Sequence, residues 1–173
     1  MFVLDAYDCI LSKLDIREFD PARRITPDLK RKILEAARLT GSAMNSQHWH
    51  FLVVEGQDRL KVLANDSTTG KWVQGANLAV MILTEEKRSF QLIDVGRVVQ
   101  DMQIAAWNYG VASCIFTGVD KEALQRDFAI PENLNASAVV GFGYPVKKIS
   151  GRKKNRKMIS ELVSVDKFGQ PFA

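Results

Sequence analysis

Apolar residues along this chain fall into two alternating patterns, a helical stripe and a short continuous run. The clearest stripe is in "ITPDLKRKILEAARLTG", where Leu29, Ile33, Leu34 and Ala37 recur at the helical period. Its ends are marked as well: Thr26 stands at the cap, Pro27 at the first helical position, Asp28 in the first turn and Gly41 just past the end. "AYDCILSKL" predicts a shorter helix before it. "HFLVVE", "NLAVMIL", "VASCIF" and "ASAVVGFGYP" have the length and composition of buried strands, the last ended by Pro145. "QDRLKVLA" and "DKEALQRDFAI", the latter capped by Asp120, read as helices between them.

The longest helical pattern runs from about Glu86 to Tyr109 and stops at Gly110. Phe90, Ile93, Val98, Met102, Ala105 and Tyr109 follow the period, while Leu92, Val95, Val99, Ile104 and Ala106 widen the stripe well beyond one face. Gly96 inside it weakens a helix by ~1 kcal/mol relative to alanine. A helix apolar nearly all round must be buried on several sides, and a second subunit is one way to do so. The order of elements is not a regular β-α repeat, and no internal repeat or linker divides the chain. The expectation is one α+β domain spanning residues 1–173, with helices packed on a central sheet.

Composition sharpens this picture only in part. With 46% hydrophobic and 25% charged residues in 173, the chain is globular in type and long enough for a sizeable core. No apolar stretch approaches the roughly 20 residues of a membrane helix. "MFVLDAYDC" lacks a positively charged leader, and Cys9 and Cys114 form no C-x-x-C pair, so a cytoplasmic, reducing setting is expected. The net charge of +4 is local: seven cations lie between Lys147 and Lys157 with no acid among them, and the remainder carries −3. That pattern suggests an anionic ligand at one place. A nucleic-acid-binding reading draws on the same tail, but the tail has no interleaved aromatics for stacking on bases.

Polar residues gather at four element ends. Lys13, Asp15 and Arg17 alternate in "SKLDIREF", so in an extended segment they can point the same way. "GSAMNSQHWHF" crowds short hydrogen-bonding side chains after a helix, "STTGKW" offers Thr68 and Lys71, and "KKNRK" ends the basic tail. His48 and His50, two apart, share a face if they lie on a strand and could then seat a metal, although no third ligand accompanies them. Cys114, in an apolar strand, reads as an inert core residue. A G-x-G-x-x-G after a strand and a P-loop are both absent from the sequence.

Taken in order, "SKLDIREFDP", "ITPDLKRKILEAARLTGSAMNSQHWHFLVVE", "AWNYGVASCIFTGVDKEAL", "VVGFGYP" and "RKKNRK" resemble the nitroreductase family of FMN-dependent flavoproteins, from Ile10 to about Leu162. That family's first segment has the form R-R-S-x-R-x-F and its second P-S-x-x-N-x-Q-P-W-x-F, of which Ser42, Asn45, Gln47, Trp49 and Phe51 remain here. The resemblance implies a mainly antiparallel sheet flanked by helices, an intertwined homodimer with FMN at its interface, NAD(P)H as electron donor, and a nitroaromatic, quinone or similar small molecule as acceptor.

It also implies a cofactor site. Lys13, Leu14, Asp15 and Arg17 match the first segment, and Lys154 and Arg156 the phosphate pair of the C-terminal segment. Gly41, Ser42 and Asn45 match a loop that reaches the partner's flavin, with Trp49 and Phe51 as core anchors behind it. Lys71 matches a cation facing the pyrimidine carbonyls, Thr68 is a further cofactor-binding position in the same segment, and the backbone of Thr117 and Gly118 meets the hydride-accepting nitrogen; no catalytic side chain or metal is required. The sequence departs from the pattern at Lys13, Leu14, Asp15, Thr68 and His48, where the family commonly has arginine, arginine or histidine, serine, asparagine and proline. Aspartate at position 15 also occurs in a branch that cleaves reduced flavin, and a specialised dehydrogenase shares the fold, so the branch stays open.

Overall fold

The computed structural model describes residues 5–85, 88–147 and 154–172. Lys148, Arg152 and Lys153 of the basic tail, and Glu86 at the expected start of the long helix, lie outside them. The elements follow the order α1 (Ala6–Ser12), α2 (Pro27–Leu39), β1 (Trp49–Glu55), α3 (Gln57–Asn65), β2 (Leu78–Thr84), α4 (Ser89–Asn108), β3 (Ala112–Phe116), α5 (Lys121–Phe128) and β4 (Asn135–Gly143).

The four strands form one antiparallel sheet in the order β1-β2-β4-β3. The central strand explains its own sequence. Every residue of β2 is buried, because Leu78, Val80 and Ile82 enter one core with α2 and α4. Ala79, Met81 and Leu83 enter a second core with Leu60 and Leu63 of α3 and Leu124 of α5. A strand covered on both faces must be apolar at every position. The result is a three-layer α+β architecture, as expected from the pattern.

Helix ends obey the predicted chemistry. Thr26 Oγ1 accepts from Leu29 N–H at 3.4 Å, and Asp120 Oδ1 from Ala123 N–H at 3.1 Å. The first helix is shorter than expected: it closes at Ser12, where Lys13 N–H donates to Cys9 O at 2.8 Å, and this frees Lys13 for other work. "HFLVVE" was expected to be a buried strand and is corrected here: β1 is an edge strand, fully buried only at Trp49 and Val54. The helix expected from Glu86 to Tyr109 is described from Ser89 to Asn108. Val95, Val98, Val99, Met102 and Ala106 line its core side, but Leu92 and Ile93 remain 51% and 67% exposed.

Candidate functional site

After α1 the chain runs extended beside β3: Asp15 bridges Ser113 in parallel, and Ile16 N–H donates to Ser113 O at 3.0 Å. Here Lys13 Nζ donates to Asp15 Oδ1 at 2.6 Å and to Gln103 Oε1 of α4 at 2.9 Å. Gln103 Nε2 lies 3.4 Å from Asp15, closing a triangle. Leu14 between them is half-buried. Arg17 lies beside Cys114, whose side chain, and to a smaller extent Asp15, raises the guanidinium's already high pKa. Cys114 itself is buried in β3, as expected of a core residue.

The C-terminal segment returns to this place. Lys154 Nζ donates to the carbonyl of Ile10. Partial burial, then the charges of Arg156 and Lys13, hold its ammonium below the usual lysine range, while Asp15 works the other way. Two cationic segments, more than a hundred residues apart in sequence, thus feel each other's charge in space. Arg156 is exposed, with Nη1 donating to Asn155 O at 2.8 Å.

The far end of β3 carries a second cluster. Thr68 N–H donates to Gly118 O at 2.9 Å, and Gly118 N–H to Thr69 Oγ1 at 3.2 Å. A Cβ on Gly118 would stand 2.4 Å from Thr68 Oγ1 and 2.5 Å from Thr69 Oγ1. Glycine is therefore demanded by this chain's own threonines. Thr68, Thr117 and Lys71 are exposed, with Lys71 Nζ donating to Asn65 O at 3.2 Å. From Ser113 to Gly118, five residues of extended chain cover about 16 Å. A cationic end and an end of exposed short polar side chains are thus set along one strand.

The loop after α2 is built differently. Ser42 Oγ accepts from Gln47 N–H at 3.0 Å and closes a 3-10 turn over Ala43–Asn45. Met44, Asn45 and Gln47 have φ of 54°, 53° and 45°, a left-handed conformation that costs non-glycine residues about 1–2 kcal/mol each, least for asparagine. Asn45 and Met44 are exposed at its tip, and Gly41 lies against Arg97. What holds the loop down is Asp94 of α4, 3% exposed. Its Oδ2 accepts from Ala43 N–H at 2.9 Å and lies 3.4 Å from His48 Nε2, and Arg97 Nη1 donates to Oδ1 at 3.3 Å. Burial alone pushes the Asp94 carboxyl up, but the Ala43 N–H, His48 and Arg97 together outweigh it and hold it below the usual range.

The two histidines do not share a face. β1 begins at Trp49, so His48 precedes the strand and turns inward to Asp94, while His50 faces out. Among the described residues no three His, Cys, Asp or Glu side chains could share a metal ion. Trp49 is buried and stacks on half-buried Phe51 at 27° between planes, so both act as anchors.

The three clusters do not form one site in one chain. Asp94, beneath the Ser42–Asn45 loop, and Gln103, beneath Lys13, are nine residues apart on α4. That is about 13 Å along the helix and half a turn around it. Asp94, Gln103 and Thr69 were not anticipated. The signal was present for the first two, since a buried polar residue in an apolar helix needs a partner.

Comparison with known proteins bears on this arrangement. Residues 10–81 and 64–144 match the model of the nitroreductase family. A protein of Archaeoglobus fulgidus, provisionally named NADH dehydrogenase/NAD(P)H nitroreductase, is 32% identical over 146 residues, which are 79% of this chain and 83% of that one. The structure of an FMN-dependent nitroreductase from Clostridium difficile superposes with a TM-score of 0.83 over 92% of this chain and 98% of that one, at 20% identity. A nitroreductase-like protein from Streptococcus mutans gives 0.82 over 94% and 98%, at 19% identity. At such identities the two structures attest the fold.

Proposed function

The chain belongs to the nitroreductase family, and from that premise we propose that it is an oxidoreductase that binds FMN and passes reducing equivalents from NAD(P)H to a nitroaromatic, quinone or similar acceptor. The observation that carries this reading is the row along β3, with cations beside Ser113 and the exposed Thr68, Thr117 and Lys71 at the Gly118 end. Its chemistry suits a long ligand with a phosphate at one end and a flat heterocycle at the other.

The residues present fit that cofactor. Lys154 and Arg156 supply positive charge for a phosphate, while Lys13 neutralises Asp15 at 2.6 Å, so that acid need not repel one. Thr68, Thr117 and Lys71 are exposed at the other end and offer short donors and a cation to carbonyl and ring-nitrogen atoms. When bound, the flavin would supply the two-electron chemistry. The chain's own part is to seat the phosphate, hold the ring edge, and place positive charge near the pyrimidine carbonyls through Lys71. The Gly118 N–H is already given to Thr69, so the hydroxyl of Thr69 would have to yield before that N–H could serve a ring nitrogen.

The partner loop completes the site. Ser42 and Asn45 lie on the other side of α4 from Lys13, and in a homodimer they would reach the flavin of the second protomer. The surface left open supports such a dimer: Ile93 on α4, Ile10 and Leu11 on α1, and Ile159, Leu162 and Phe168 near the C-terminus are all more than half exposed. Among the described residues, no helix is long and apolar enough to cross a membrane.

The test is the visible spectrum of the purified protein, followed by NADH and NADPH oxidation in the presence of a quinone or a nitroaromatic. One FMN per chain and acceptor-dependent oxidation are expected. A colourless protein that binds RNA or DNA through its tail would overturn the reading. Irreversible loss of the flavin chromophore from reduced FMN in the presence of dioxygen, without turnover of an added quinone or nitroaromatic, would favour the flavin-cleaving branch, which Asp15 keeps in view.

A further inference from the structure

We propose that Asp94 is the positioning residue of the cofactor-reaching loop: by gripping Ala43, His48 and Arg97 it fixes where Ser42 and Asn45 point, and so sets FMN affinity without touching the flavin. This rests on the flavin reading above. The loop has reason to move. Three non-glycine residues within four positions, Met44, Asn45 and Gln47, hold positive φ, and such a conformation persists only where surrounding contacts over-determine it. Within the loop, the restraints are the Ser42 Oγ bond to Gln47 N–H and the two turn bonds from Asn45 and Ser46 N–H to Ser42 O and Ala43 O. Those close the loop on itself but do not fix it to the body.

Asp94 does. It is 3% exposed on a helix whose neighbours are buried valines, and its carboxylate meets the loop at both ends, at Ala43 N–H (2.9 Å) and at His48 (3.4 Å). Arg97, one helical turn on, donates to the same carboxylate, and its guanidinium stands where a side chain at position 41 would be, 2.9 Å from that Cβ. Gly41 is thus part of the same device. A buried charge held by partners from the loop itself resists displacement far more than an apolar contact, because each broken bond strands a charge.

The test uses the full-length protein. FMN affinity is read from recovery of flavin fluorescence on dilution, and amide exchange at residues 41–48 is measured on the same variants freed of flavin. Asp94→Ala should weaken FMN binding roughly ten- to a hundredfold, as expected for lost bonds to a charge, and should speed exchange at Ala43 and Gln47. Its effect should add little to that of Asn45→Gly, which keeps the positive φ while removing the amide. Combined with Lys154→Ala, at the opposite end of the flavin, the two losses should multiply. Asp94→Asn keeps the shape and an acceptor for Ala43 N–H, and should show a smaller loss, roughly three- to tenfold. It also carries the same double-variant comparison should Asp94→Ala not fold.

Wild-type affinity in both Asp94 variants would overturn the proposal, and so would losses that multiply with Asn45→Gly as fully as with Lys154→Ala. A wild-type protein that takes up no FMN would instead bring down the flavin reading, and the cofactor part of this proposal with it, whatever the exchange rates.

Discussion

Asp66 shows how a single side chain here is held at a cost. It caps the end of α3 just before the Thr68–Lys71 loop, 7% exposed, with Oδ2 buried. Burial, then the charge of Asp127, raises its pKa, and Arg126 only partly offsets them. A carboxyl raised in the folded state favours folding most below its unfolded pKa, and that contribution is lost as pH rises through the folded value. Asp66→Asn should therefore stabilise the protein at pH 7 by about 1–2 kcal/mol, a few degrees in thermal midpoint. The gain should shrink as pH falls towards the carboxylate range. Thermal scans at several pH values check both the sign and the trend. Trp49 and Asn45 make the opposite pair. Trp49→Ala removes a buried, stacked ring and should cost ~3–5 kcal/mol in unfolding. Asn45→Gly, at an exposed tip, should leave the midpoint nearly unchanged and lower FMN affinity about five- to 150-fold.

At the scale of elements, α4 carries two duties at once. Its inner face closes the core, and its outer face, with Leu92, Ile93 and Gly96, stands open. Ile93→Asp should leave the protomer fold intact, since that side chain is 67% exposed, and should convert a dimer to monomers with loss of bound flavin. Light scattering with absorbance detection reads both. Elements were legible in the sequence where one chemical rule dominates: the Thr26–Pro27 start of α2, the Asp120 cap of α5, and the unbroken apolar run Leu78–Leu83 of β2. They were misjudged where tertiary context decides. "HFLVVE" has the composition of a covered strand, yet it lies at the sheet edge, and nothing in those six residues announces which neighbour is missing. For the candidate site the sequence offers residue types and much less their partnerships. Lys13 and Lys154 could be named from motif position, but the Gln103 bond to Lys13 and the Asp94 grip on the loop join segments 90 and 51 residues apart, and such pairings follow only from the fold.

For the whole molecule, the open apolar surface of α1, α4 and the C-terminal segment would make stability a function of concentration in a dimer that covers it. If two protomers bury it together, the thermal midpoint should rise with protein concentration and again with added FMN. Flat midpoints over a hundredfold range of concentration would argue for a self-sufficient monomer. The half-turn between Asp94 and Gln103 on α4 reaches further, into inheritance. If the loop of one protomer and the tail of the other serve the same flavin, the two defects Asn45→Gly and Lys154→Ala belong to different chains of one site. A mixed dimer of the two variants then gathers both lesions into a single site and leaves the second wholly native. Two alleles, each crippled when expressed alone, should restore flavin binding to about half of the sites in each mixed dimer when expressed together. No such rescue should follow for Lys154→Ala with Lys13→Ala, because those two lesions lie in the same half-site and every mixed dimer keeps one in each of its sites.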